Sequence, residues 1–287
     1  MRLRTALLGL SLLTVPLGLP LSGAWAAGGA GSEQPASAGG SLTLAMTLYA
    51  GGITLGKVDM DAKFIGDKYN VVSNLETSGV VNAFWASQIQ ATSSGKLDKK
   101  TMQPLSYDSF YTGHKANHQE VKLTFENGEP VHLYANPTYP TTGYEVKPED
   151  KKGTFDPLSA VIHITSGVGA DPANPCGVKT AVYDGRRRYD VNMTKVKPIA
   201  IAMDNGLYKG PALLCTIEYK QISGYKARVL KDANFPAINA WVGIFPSKES
   251  GRSFAIPLRV WANSQYGVIA AVATTLKIDG QPVKSGN

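Results

Sequence analysis

Residues 176–215 read CGVKTAVYDGRRRYDVNMTKVKPIAIAMDNGLYKGPALLC, and this stretch decides the fold. It begins and ends on the two cysteines of the chain and carries a Tyr183-Asp184-Gly185 turn, then Arg186, Arg187 and Arg188, between two segments of alternating polarity. A period of two marks a β-strand, whose successive side chains point to opposite faces. The stretch is therefore predicted to be the central hairpin of a β-sheet, stapled by a Cys176–Cys215 disulfide. Over residues 186–193 the alternation puts Arg186, Arg188, Asp190 and Asn192 on one face and Arg187, Tyr189, Val191 and Met193 on the other. Arg187 is thus the charge expected to point at the apolar side, while Arg186 and Arg188 are expected in solvent, paired with Asp184 or Asp190. In the next strand Leu213, Cys215, Ile217 and Tyr219 share a face, which directs Cys215 inward.

The N-terminus indicates the compartment in which such a bridge forms. Arg2 and Arg4 precede an apolar run over residues 6–21, and Ala24-Trp25-Ala26 follows as a small-x-small cleavage site. This is the pattern of a secretory signal peptide, residues 1–26, cleaved on export to the periplasm. The competing reading is an uncleaved anchor, but Pro16, Gly18 and Pro20 interrupt the run, which is short of the ~20 residues a span needs. No cysteine follows the cleavage site, which excludes lipoprotein-type lipid attachment, and no other segment is apolar enough to span a bilayer. In an oxidising compartment pairing of the two cysteines is favoured over two separate thiols. The chain-entropy model gives such a closed loop roughly 4 kcal/mol. There is no Cys-x-x-Cys, so thiol oxidoreductase chemistry has no support.

Loss of residues 1–26 takes the basic count from 29 to 27 against 22 acidic residues, a net charge of +5. Export argues against nucleic acid as the partner, and an exported basic protein meets anionic lipid, lipopolysaccharide and wall instead. Residues 27–40 are Gly, Ala, Ser and Pro apart from Glu33 and Gln34, with little to pack, a predicted disordered leader. Residues 41–280 form a single predicted β domain, with 281–287 as a tail.

Leu42, Leu44, Met46 and Leu48 alternate with Thr43, Ala45 and Thr47, and Val58, Met60, Ala62 and Phe64 alternate with Asp59, Asp61 and Lys63. Gly51-Gly52 and Gly66-Asp67 supply the turns of a meander, and Asn127-Gly128 fits a type I′ hairpin. A short helix is predicted from Ser78 or Gly79, where Val80, Val81, Phe84 and Trp85 fall at spacings of three and four. A second starts at Asp156, whose carboxylate can cap the orphan amides, with Pro157 suited to the first helical position. Leu158, Val161, Ile162 and Thr165 are its expected buried stripe, and Gly167 its stop. Residues 136–148, with Pro137, Pro140 and Pro148, read as a surface loop. The fold class is mainly β: a curled antiparallel sheet of about a dozen strands, an open barrel or β-spiral, with two short helices.

Five short motifs, taken in order, resemble a known bacterial family. They are Gly52-Ile53-Thr54-Leu55-Gly56, Ser78-Gly79 before an aromatic helix, Thr154-Phe155-Asp156-Pro157-Leu158-Ser159-Ala160, Tyr183-Asp184-Gly185-Arg186, and Ile256-Pro257-Leu258-Arg259-Val260. The family is the one catalogued as domain of unknown function 3108, and the likeness covers most of residues 41–278. It implies a periplasmic, mainly β protein and no assigned catalytic residues. A looser likeness, at the level of fold alone, is to half-barrel carriers of lipoproteins and to spiral-sheet envelope-integrity proteins.

Chemistry-bearing constellations are few. His114 and His118 lie four apart, but on a strand that separates them by ~13 Å, and neither His132 nor His163 has a Glu or Cys at ligand spacing, so no metal site is predicted. Hydrolase signatures are lacking. Ser159 beside Asp156 is a geometry that can activate a hydroxyl, though capping alone accounts for it. Gly28-Gly29-Ala30-Gly31 follows the cleavage site rather than a strand, so no phosphate loop and no cofactor is implied.

The leading functional expectation is a non-enzymatic periplasmic binding or carrier module for cell-envelope maintenance. A dozen strands enclose more room than side chains fill, since ~8 already close around a small ligand. An acyl chain, anionic amphiphile or extended peptide would lie against Phe84, Trp85, Arg187, Tyr189 and Trp241, with Arg187 meeting a negative head group. The alternative is a structural envelope protein that binds a partner protein or the wall through its outer surface, with an exposed aromatic patch on an edge strand near Tyr139 and Tyr144 and no internal cavity. An envelope hydrolase is the third.

Overall fold

The computed structural model describes residues 39–283, apart from 99, 114–116, 169–170, 172–173, 232–234 and 266, and only the backbone of Val80 and Phe84. The predicted signal peptide, the leader through residue 38, His114 and the last four residues of the tail lie outside the described residues.

Seven strands come first: β1 (Gly40–Ala50), β2 (Ile53–Ile65), β3 (Lys68–Thr77), β4 (Gln88–Leu97), β5 (Met102–Thr112), β6 (His118–Glu126) and β7 (Glu129–Asn136). Then follow β8 (Val178–Tyr183), β9 (Arg188–Ala202), β10 (Lys209–Ser223), β11 (Ile238–Pro246), β12 (Ser253–Ser264), β13 (Gly267–Ile278) and the two-residue β14 (Gln281–Pro282). The helices are α1 (Gly79–Phe84), α2 (Pro148–Lys151), α3 (Pro157–Thr165) and α4 (Ala227–Lys231), of which α1 and α3 answer to the two expected from sequence. α2 and α4 are single turns too short to leave a periodic signal.

All fourteen strands join one unclosed, curled antiparallel sheet in the order β7-β6-β5-β4-β3-β2-β1-β13-β12-β11-β10-β9-β8, with β14 on β13. It is two meanders joined where β1 pairs with β13, from Leu42 opposite Ile278 to Ala50 opposite Ile269. The hairpin of the 176–215 stretch is therefore not central, as its place in the chain suggests, but the last in the strand order, its outer strand β8 bridged only by Phe155 among the described residues. Pairing between the first and last long strands pushes the middle of the chain outward.

Alternation holds in the sheet's middle. Leu42, Leu44 and Met46 of β1 and Met60, Ala62 and Phe64 of β2 are buried, while Asp61 and Lys63 are exposed. Each of the Leu, Met and Phe side chains among them stabilises the fold by about 1.5–3 kcal/mol over leaving it in water. At the β6–β7 turn Asn127 (φ 52°) and Gly128 (φ 78°) both take the left-handed backbone of a type I′ turn.

α3 touches β3, β4 and β5 on one arm of the sheet and β8 and β12 on the other, so it lies inside the curl. Ile162 of α3 and Val168 beyond it share one apolar cluster with Leu42, Phe64, Phe254 and Leu276. Helix and apolar side chains occupy the inside of the curl, where the sequence reading expects room for a ligand. Asp156 caps the helix, its Oδ1 accepting from the amides of Leu158 (3.1 Å) and Ser159 (2.9 Å). The buried face differs from the predicted stripe: Ser159, Ala160, Ile162 and Thr165 are buried and Val161 is exposed. Sheet on both sides of the helix selects a wider inward face, and a polar residue inside it.

A disulfide joins Cys176, just before β8, to Cys215 on β10, with Cα atoms 6.3 Å apart. Both are fully buried with Met193, Ala240 and Val242.

Candidate functional site at the open seam

The sheet fails to close between β7 and β8, and its most distinctive side chains gather there. Among the described residues β7 pairs only with β6, and Val131, Leu133 and Tyr134 are 43, 45 and 50% exposed, so within those residues this eight-residue edge is open in its backbone and apolar in its side chains. Facing it is the turn between β8 and β9. Asp184 Oδ1 accepts the amides of Arg186 (2.9 Å) and Arg187 (2.6 Å), and Gly185 takes φ 90°. Strand geometry starts only at Arg188, so the alternation drawn from Arg186 onward fails. Arg187, expected to point inward, is exposed, and Arg186 is the half-buried one. Arg188 pairs with Asp190 at 2.6 Å.

Between these edges lies a cleft of about 510 Å³ lined by Leu133, Tyr134, Tyr139, Glu145, Lys151 and Arg186, among others. Arg186 stacks over the Tyr139 ring at 5.3 Å and Lys151 over Tyr183 at 5.3 Å; beside the cleft Arg187 covers Tyr225 at 5.5 Å and Lys226 covers Tyr144 at 5.9 Å. Two of these cation–π pairs, Arg186–Tyr139 and Lys226–Tyr144, hold loop 137–147 against the two neighbouring turns, Arg187–Tyr225 joins the turns to each other, and Lys151–Tyr183 ties α2 to β8. Gly224, at φ 84°, lets the β10–α4 turn come against the Arg186 carbonyl and Val146. The Arg186 Nε is buried with no hydrogen-bond partner. Burial pushes Tyr183 up to about 12 and raises Tyr139 and Asp184, although both turn amides pull Asp184 the other way. Four cations against the carboxylates of Glu145 and Asp184 leave the seam positive, with planar aromatic walls. Guanidinium and ammonium donors of this kind are chemically complementary to carboxylate or phosphate oxygens.

Of the residues predicted to line a hollow, the structure brings two together and places others apart. Arg187 and Tyr189 do come together: Arg187 stacks on Tyr225, whose hydroxyl lies 2.7 Å from that of Tyr219, and Tyr219 packs on Tyr189 at 5.0 Å. Trp241 belongs to a separate cluster with Trp261 and Arg259. Trp85 ends α1, which packs on β2, and is 59% exposed; the Phe84 side chain lies outside the described residues. Sequence reasoning missed Tyr134, Lys151 and Arg186 at the seam. The available signal was a strand followed directly by a proline-rich loop, which is how a sheet edge reads.

A second polar cluster lies under α3. Asp156 Oδ2 accepts the hydroxyls of Ser159 (2.5 Å) and Ser93 (3.1 Å), and Ser159 Oγ also meets Tyr69 Oη at 2.6 Å. Asp156 and Ser159 are fully buried and Ser93 and Tyr69 nearly so. Desolvation raises Asp156 to about 6 against the pull of its four hydrogen bonds. His163 is not part of it: its ring stacks on Phe155 at 4.6 Å and its Nδ1 lies 2.9 Å from Thr180 Oγ1. Ser159 is therefore held as a buried structural hydroxyl. Among the described residues no cluster of three or more His, Cys, Asp or Glu is arranged to hold a metal, and no helix is long and apolar enough to cross a membrane.

Fold and seam together define a mainly β protein whose curled sheet is plugged by a helix and open along one edge. The chain belongs to the family described as protein of unknown function (DUF3108), whose model matches residues 43–273. Among solved structures it is similar to a β-barrel-like protein of domain of unknown function DUF1849 from Brucella abortus. The two are 14% identical, the match covers 84% of this chain and 97% of that one, and the TM-score is 0.50, a likeness of fold alone. No match was found among curated proteins.

Proposed function

We propose that this protein is a non-enzymatic binding module of the cell envelope, exported to the periplasm, that takes an extended, acidic polypeptide segment at the seam. The observation that carries the reading is the juxtaposition of the apolar β7 edge, unpaired among the described residues, with the cationic, aromatic cleft beside it. A strand added to β7 gains main-chain hydrogen bonds, its side chains rest on Leu133 on one face and on Tyr134 on the other, and a carboxylate meets Arg186 and Lys151. Export agrees with the buried Cys176–Cys215 bridge. A carrier holding an acyl chain inside the curl has less in its favour, because α3 and its apolar cluster occupy that volume.

Fluorescence anisotropy with a labelled probe peptide of alternating Val and Glu tests this. Binding is expected, weakened at least roughly tenfold by Arg186→Glu together with Lys151→Glu, while a Val/Lys peptide stays free. Equal binding of the two peptides, or indifference to the charge reversals, removes the proposal.

A further inference from the structure

The Arg259 guanidinium on β12 is caged by two indoles. It lies 5.1 Å from the Trp241 ring and 5.4 Å from the Trp261 ring, and the two rings meet edge to face at 5.6 Å. Strand register builds the cage: Trp241 of β11 is directly opposite Arg259, and Trp261, two residues on, shares the Arg259 face. Arg259 Nε is buried with no hydrogen-bond partner, and none of the four ion pairs of the described residues involves it. Stacking on the two indoles holds this guanidinium, and its buried Nε donor is unspent. A cleft of about 280 Å³ opens beside it, walled by Trp241, Met203 and Val272, with Tyr49 and Asp204 also lining it. The β9–β10 turn is anchored over the sheet by Asn205 Nδ2, which donates to the Ala273 carbonyl at 2.7 Å.

We infer that Arg259 is the anion-binding centre of a second site, distinct from the seam, for a small monocarboxylate with an apolar body. The volume lies at the lower end of ligand pockets, the fork of donors matches a carboxylate, and the apolar walls take a short hydrocarbon. The exposed carboxylate of Asp204 selects against a dianion.

Hexanoate and its uncharged amide, hexanamide, are suitable probes, read from the indole N–H signals of Trp241 and Trp261 in nitrogen–proton correlation spectra. Hexanoate is expected to shift both signals saturably and to bind at least roughly tenfold tighter than hexanamide. Arg259→Gln should abolish the difference between the two probes. Asp204→Asn, a surface change that leaves the cage in place, should tighten hexanoate about twofold or more. The Arg186→Glu, Lys151→Glu protein should bind hexanoate as the parent does, so failure at the seam and failure here are separate results. No shift with hexanoate up to about 20 mM, equal affinity for the amide, or no tightening by Asp204→Asn overturns the inference.

Discussion

Gly185 lies so close to Leu133 that a Cβ on it would stand 3.0 Å from Leu133 Cδ1, and 2.8 Å from Val121 Cγ1, at a φ of 90°. The last hairpin of the sheet thereby abuts its first-arm edge, two ends that the strand order places farthest apart. Gly185→Ala is expected to cost about 2–4 kcal/mol, a left-handed alanine plus forced repacking. Gly206→Ala, also at positive φ but with nothing within 4 Å of its Cβ, should cost only about 1 kcal/mol. Denaturant midpoints decide; equal costs would mean that the two ends do not touch.

Much of the architecture was legible along the chain and little of the site. In β1 and β2 one face is core and the other solvent, so Leu42 and Phe64 announce themselves by period. The Asp156-Pro157 start of α3 and the Asn127-Gly128 turn are equally local. The position of β8 at an edge was not legible, because it follows from β1 pairing with β13, a contact between residues over two hundred apart. Arg187 went astray for a smaller reason: Asp184 caps a turn that suspends strand alternation for two residues. The seam itself depends on which edges remain unpaired, and no residue records that locally.

Asp156 should give stability a pH dependence. Its folded value of about 6 lies above the ordinary 3.8, so the folded state binds the proton more tightly. The stabilisation it confers is complete below about pH 4 and is lost as pH rises through 6, about 3 kcal/mol in all. Asp184, also raised by burial, acts in the same direction, whereas His163, lowered by burial, loses stability as pH falls. Asp156→Asn should flatten the fall in melting temperature between pH 4 and 7; an unchanged slope would show that the carboxyl does not titrate there.

The disulfide ties the approach to edge strand β8 to β10, its cysteines 39 positions apart in the chain. Replacing both by serine should lower unfolding free energy by roughly 4 kcal/mol, read from guanidinium midpoints with and without reductant. A loss under about 1 kcal/mol would indicate that the closed loop is already constrained when unfolded.

Asp279 gathers the sheet's two meanders at one end, accepting from Ser41 N (3.2 Å), Ser247 Oγ (2.8 Å), Lys248 N (2.9 Å) and Glu249 N (3.3 Å) at a φ of 52°. Asp279→Ala should cost about 2–3 kcal/mol. Asp279→Asn, which keeps one acceptor and tolerates the left-handed backbone, should cost less. Thermal melts of the pair give the comparison, and equal melting temperatures would deny the carboxylate this role.

Amide hydrogen exchange of residues 129–136 with and without the Val/Glu probe peptide bears most directly on the seam as a place where another strand is added. Saturating peptide should slow exchange along β7 at alternate amides, those facing away from β6, and leave β1 and β13 unchanged. Protection absent from β7, or spread evenly over the whole sheet, would contradict strand addition at this edge.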